Sequence, residues 1–170
     1  MPKFKSMKEA NEYIMSQIND TLANEVFKVV QKAELKAIED KVYSTYNPST
    51  YIRRGADSGL SDPKNIVMEN TPSDGTLVVV NITPANANRS SYRTNERKFK
   101  SIVKNAARKD LSEQVEYGHN NPWQYDFPSD GEYMKPRPFT DTTVKNLDSS
   151  KAHIEALKKE LKQRGIQVAK

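Results

Sequence analysis

The chain has 170 residues, the length of one compact domain, and its lack of cysteine excludes disulfides and thiolate metal sites. Hydrophobic residues make up 35% and charged residues 29%, below the apolar share of about 45–50% usual for independent globules. That polarity predicts structure that leans on neighbours or is partly extended and solvated, and the net charge of +5 suits either nucleic acid nearby or charge-maintained solubility.

Residues 6–44 read as helix. Apolar residues recur at Met7, Ala10, Ile14, Ile18, Leu22, Val26, Val29/Val30, Ala33 and Ile38, in steps of three and four apart from one longer gap. Ser6 followed by Glu9 forms a capping-box pattern that starts the helix near Ser6. Asn19-Asp20-Thr21 favour caps over helix interiors, so one long helix and two shorter ones both remain open. Asn47-Pro48 ends the run, since proline disfavours helical geometry in the residue before it.

Tyr51 to Lys64, with Gly55, Gly59 and Pro63, reads as a loop. Strands are predicted over Asn65–Thr71 and Thr76–Thr83, a 65–83 hairpin around Pro72-Ser73-Asp74-Gly75. The consecutive valines of the second strand predict that both its faces are covered, by the long helix and by a partner. The longest clearly apolar run, Leu77-Val78-Val79-Val80, is far short of the ~20 residues that span a bilayer. Met1-Pro2-Lys3-Phe4-Lys5 leads into no apolar core of signal-peptide length. The expectation is a soluble protein with no membrane partner.

Asn86 to Arg93 is polar and loop-like. From Thr94 to Lys109 the stripe Phe99, Ile102, Val103 and Ala106 predicts a short basic amphipathic helix or a flexible basic arm. Gln114–His119 reads as a strand ending at Gly118, and residues 120–138, rich in Pro, Gly and aromatics, as an extended loop that orders on contact. The last helix is predicted over 141–164, with Val144, Leu147, Ile154, Leu157 and Leu161 on one face and Gly165 as its C-cap. There is no internal repeat and no heptad series long enough for a coiled coil.

Little in the chain points to catalysis. Its two histidines, His119 and His153, are far apart and lack metal-ligand spacing. No nucleophile elbow, phosphate loop or dinucleotide fingerprint occurs, so neither an enzyme nor a cofactor is expected. The strongest chemical feature is the basic segment 86–110, where Arg89, Arg93, Arg97, Lys98, Lys100, Lys104, Arg108 and Lys109 meet only Glu96 and Asp110. Such a cluster is suited to phosphate contact, with Tyr92 and Phe99 interleaved for stacking. It is equally suited to a solvated helix face or an acidic protein neighbour.

Three segments, taken in order, carry a family resemblance. The first is Val42-Tyr43-Ser44-Thr45-Tyr46-Asn47-Pro48, continuing to Tyr51-Ile52-Arg53-Arg54-Gly55 and Gly59-Leu60-Ser61-Asp62-Pro63. The second is Val115-Glu116-Tyr117-Gly118. The third is Pro136-Arg137-Pro138-Phe139, just before the terminal helix. After a leading helix, this order resembles the head–tail joining (tail-completion) proteins of long-tailed bacteriophages, over about Ala33 to Gly165. Individually the motifs are short. The basic segment and the 120–135 loop are less typical of the family.

The resemblance implies a structural virion protein of the neck, assembled in the bacterial cytoplasm as a closed ring, with six copies expected. Its partners would be itself, the head connector or adaptor, and the tail tube or terminator, with genome DNA passing through the lumen. Tyr51, Arg53, Arg54, Arg137 and Phe139 would then serve subunit or ring contacts. Phe139 beside Arg137 makes an apolar anchor next to a planar donor, or else ordinary core with Arg137 capping a carbonyl. The expected fold is α+β: a small antiparallel sheet packed by a long N-terminal helix and a C-terminal helix. The alternative is a small basic nucleic-acid-binding protein using residues 89–109.

Overall fold

The structure, a computed structural model, describes residues 3–45, 55–57, 59–69, 71–83, 111–118 and 135–168, and the structural statements below concern these. They form five α-helices, α1 (Met7–Thr21), α2 (Phe27–Ile38), α3 (Leu111–Tyr117), α4 (Phe139–Ser150) and α5 (Ala152–Gln163). A two-stranded antiparallel sheet, β1 (Ile66–Met68) with β2 (Val79–Asn81), makes the class α+β. No described helix is long and apolar enough to cross a membrane. The chain divides into two compact units, one of Met1–Glu34, Met68–Val80 and Thr143–Lys170, the other of Leu35–Val67 and Asn81–Thr142.

In the first unit, Ser6 is the N-cap of α1, its extended backbone placing the hydroxyl to accept from Glu9 N–H at 3.2 Å. Such a cap is worth about 1 kcal/mol. The Glu9 carboxylate reaches back to Lys5 N–H at 2.7 Å, one residue before the amide a capping box would use. No break occurs at Asn19-Asp20-Thr21. Thr21 is fully buried, and its hydroxyl donates to the Gln17 carbonyl at 2.8 Å, so a residue poorly suited to helix interiors is satisfied there. Instead the helix widens by one residue in a π-turn over Leu22–Val26, where Phe27 N–H reaches the Leu22 carbonyl.

Leu22, Val26 and Leu161 form this unit's buried core as α5 packs on α1 and on the π-turn. Arg164 fastens the edge, its Nε donating to Glu160 at 3.0 Å and its Nη1 to the Gln17 side-chain oxygen at 3.0 Å. Gly165, at φ +79°, follows α5 as predicted. Ile166 N–H reaches Leu161 O and Gly165 N–H reaches Lys162 O, the paired closure of a Schellman end.

The predicted single helix over 141–164 is two helices. Lys151 stands in the left-handed region (φ 53°, ψ 19°), and the Ser150 hydroxyl accepts from Ala152 N–H at 3.4 Å, so a local side-chain bond competes with continuation. The hairpin turn is where Asp74-Gly75 predicts it, but both strands are shorter than 65–71 and 76–83. Pro72 has no N–H, Gly75 N–H is taken by the Asn19 side chain at 2.9 Å, and Thr76 N–H by Asp74 Oδ1 at 3.0 Å. Those amides are lost to the ladder. All three residues of β2 are half-buried, while Val78 and Ile82, which flank the strand, are exposed.

In the second unit a further π-turn, Glu39–Tyr43, closes with Ser44 N–H on the Glu39 carbonyl. Ala37, Ile38, Val42, Leu60, Ile66 and Phe139 are its buried apolar residues. The predicted strand over 114–119 is helix α3. Leu111 N–H bonds the Thr83 carbonyl at 2.9 Å and the Ser112 hydroxyl bonds the Asn81 carbonyl at 2.8 Å, so the segment starts as a helix from the end of β2. Gly118 (φ +71°) ends it at the predicted place.

Candidate assembly site

The second unit brings the three motif segments together. From the first, the Tyr43 hydroxyl accepts from Ser61 N–H at 3.3 Å, tying the end of the long helix to the Gly59–Pro63 loop. Asp62 caps the short 3-10 turn Pro63–Asn65 through Lys64 N–H at 2.9 Å. The loop carbonyls are held from three sides: Asn65 Nδ2 donates to Gly59 O at 2.9 Å, Asn81 Nδ2 to Leu60 O at 3.0 Å, and the fully buried Thr83 hydroxyl lies 3.2 Å from Gly59 O. Buried carbonyls in a loop require such partners, and these side chains supply them.

The second and third segments join at the start of α4. Pro138 precedes that helix and has no side-chain acceptor for its first amides. Glu116, 8% exposed, takes the role from α3: its carboxylate accepts from Thr140 N–H at 2.8 Å and Asp141 N–H at 3.2 Å. A negative carboxylate there also meets the positive end of the helix dipole. Beside it, Arg137 N–H donates to the Val115 carbonyl at 2.9 Å, and Phe139 N–H to the Arg137 carbonyl at 2.8 Å.

These contacts decide one alternative left open by the sequence. Phe139 is 1% exposed, so its ring belongs to the core of this unit and offers no exposed anchor to another subunit. Arg137 is half-buried. With Lys41, Thr45, Lys135, Pro136 and Pro138 it lines a recess of about 300 Å³. Tyr51, Arg53 and Arg54 lie outside the described residues, as do all eight basic residues from Arg89 to Lys109, the 120–134 part of the predicted loop, and His119. His153 lies on α5, its Nδ1 buried without a hydrogen-bond partner.

Glu116 escaped sequence reasoning, although Pro138 at a helix start was a signal that the cap must come from elsewhere. Lys41 and Lys135 gave no signal, since their convergence depends on residues far apart in the chain. Among the described residues no group of three or more His, Cys, Asp or Glu could hold a metal ion. In the first unit, the Lys28 ammonium hydrogen-bonded to Glu25 at 2.8 Å holds that carboxyl below its usual range, with Arg164 and Lys159 adding to the effect.

Fold and junction together define a small, mainly helical α+β protein in which the motif residues brace the backbone. The chain belongs to the YomN family, whose profile matches residues 6–163. This is a phage-associated family. No curated protein and no solved structure matches the chain.

Proposed function

We propose that this chain is a structural protein of the phage neck, a ring that joins the head connector to the tail tube and lets the genome pass through its lumen. The observation that carries the reading is the distribution of apolar surface. Among the described residues nine hydrophobic side chains are buried, and nine large ones are exposed: Phe4, Met7, Ile14, Met15, Val78, Ile82, Tyr117, Val144 and Val168. Met7 at 78% and Tyr117 at 76% stand almost free. A protein that completes its burial against neighbours has this balance, and closed rings supply the neighbours. Membership of a phage-associated family and the order of the three motif segments support the same reading.

This reading assigns the basic residues from Arg89 to Lys109 the genome or an acidic adjoining ring as their partner. The test is the mass of the purified protein by light scattering, alone and with connector or tail-tube protein. A ring-sized species is the expected result. A monomer that ignores both partners, yet shifts a DNA fragment with steep salt dependence, overturns the reading in favour of a nucleic-acid-binding protein.

A further inference from the structure

The hairpin turn of the first unit carries a reactive pair of residues. Asp74 and Gly75 are both exposed, and Gly75 has the left-handed backbone (φ +84°) that glycine adopts freely. With no side chain on Gly75, its amide nitrogen is sterically open to the carboxyl of the residue before it. The two can join. Gly75 N attacks the protonated carboxyl at Asp74 Cγ, the amide proton passes to solvent, and the carboxyl hydroxyl leaves as water. Water then opens the resulting cyclic imide. Attack at Cγ restores aspartate, whereas attack at the Asp74 main-chain carbonyl leaves isoaspartate, with the chain running through Cβ and Cγ and its mass unchanged.

In the folded unit this nitrogen is engaged. Gly75 N–H donates to Asn19 Oδ1 on α1 at 2.9 Å, and Thr76 N–H donates to Asp74 Oδ1 at 3.0 Å. Attack requires the Gly75 amide to give up its proton and to turn its nitrogen towards Cγ, and both changes break the bond to Asn19. A deprotonated nitrogen left in place would face the Asn19 carbonyl oxygen, lone pair against lone pair. α1 also packs on the turn through Met15, whose Cε lies 3.5 Å from where a Gly75 Cβ would stand.

We propose that Asp74–Gly75 is an isomerisation site held latent by Asn19, and that isoaspartate forms there when the hairpin leaves α1. Isoaspartate adds a methylene to the main chain between the two residues, so the modified turn no longer fits Asn19 and Met15.

The experiment ages the full chain in warm neutral buffer and locates isoaspartate by peptide mass spectrometry after trypsin digestion. The tetrapeptide Pro72-Ser73-Asp74-Gly75 recurs as Pro128-Ser129-Asp130-Gly131, which lies outside the described residues and gives a second site in the same digest. Arg89 and Lys109 lie between the two, so trypsin places them on separate peptides. Isomerisation at Asp74 is expected to be at least about fivefold slower in the native chain than in concentrated urea, the effect of one hydrogen bond of ordinary strength. Asn19→Ala keeps a good helix former in α1. It should speed Asp74 by a like factor and leave Asp130 unchanged. Hydrogen exchange of the Gly75 amide, which reports the same lock directly, should quicken with it.

Equal rates at Asp74 in native and urea-unfolded wild type overturn the proposal. So does an unchanged Asp74 rate in Asn19→Ala, or equal acceleration at Asp74 and Asp130. Should circular dichroism show that the variant has lost its helices, the wild type decides. Gly75 exchange as fast as in urea then overturns the lock, and protection of Gly75 together with slowed isomerisation at Asp74 supports it.

Discussion

Replacing Glu116 with alanine tests the junction most directly. The carboxylate makes one short bond, 2.8 Å to Thr140 N–H, and one long bond, 3.2 Å to Asp141 N–H. Hydrogen bonds to charged groups contribute about 1.5–3 kcal/mol. Only the first has full strength, and Thr140 and Asp141 are themselves exposed, so water can recover their amides once the carboxylate is gone. The net loss is therefore about 2 kcal/mol, within the range for a single such bond. Glu116→Gln keeps an acceptor but loses the charge at the helix end, and should cost about 1 kcal/mol. The assay is amide hydrogen exchange at Thr140 and Asp141, where 2 kcal/mol is roughly a 30-fold acceleration. Glu113→Ala, an exposed neighbour on the same helix, should shift these rates by less than about 0.5 kcal/mol. Exchange unchanged in Glu116→Ala, or as fast in Glu113→Ala, would refute the role of Glu116 as a cap.

The other expectations follow from burial, backbone geometry and charge. Phe139→Ala should cost about 3–5 kcal/mol in urea denaturation, because its ring is 1% exposed, whereas Val144→Ala, 54% exposed, should cost about 0.5 kcal/mol or less. Lys151→Gly should stabilise by about 0.5–1 kcal/mol, relieving the left-handed backbone (φ 53°). The Asp148 ion pair it removes, 3.6 Å and exposed, contributes little, and a lower melting temperature would contradict this account. Because the carboxyl of Glu25 is held below its usual range, its contribution to stability is present above the ordinary carboxylate pKa and is lost as pH falls through the lowered value. Lys28→Met should move the Glu25 titration back upward in a carboxyl-carbon NMR titration, and an unmoved titration would rule out Lys28 as the cause.

The parts of the fold that rest on local chemistry were legible in the sequence. Ser6 caps α1, Asp74-Gly75 makes the turn, Gly165 ends α5, and Gly118 marks a boundary, though of a helix and not of the expected strand, since each signal acts within a few residues of itself. What failed was set by contacts distant along the chain. Residues 114–117 alternate like a strand, but their conformation follows from Thr83 and Asn81 engaging Leu111 and Ser112. The hairpin turn is held by Asn19, which takes the Gly75 amide from 56 positions away. Phe139 stood where its type suited an interface as well as a core, and only its burial in the fold could decide. The recess was illegible for a similar reason: Lys41 and Lys135 are ordinary surface lysines until the chain folds.

The bond from Glu116 to the start of α4 spans 24 positions, most of them in the connector between α3 and the Arg137 turn. Closing a loop costs entropy only as the logarithm of its length, so doubling the length adds about 0.6 kcal/mol. The latch is worth more than that. A few residues inserted between Gly118 and Lys135 should therefore cost less than the latch supplies, leaving α4 to begin at Phe139.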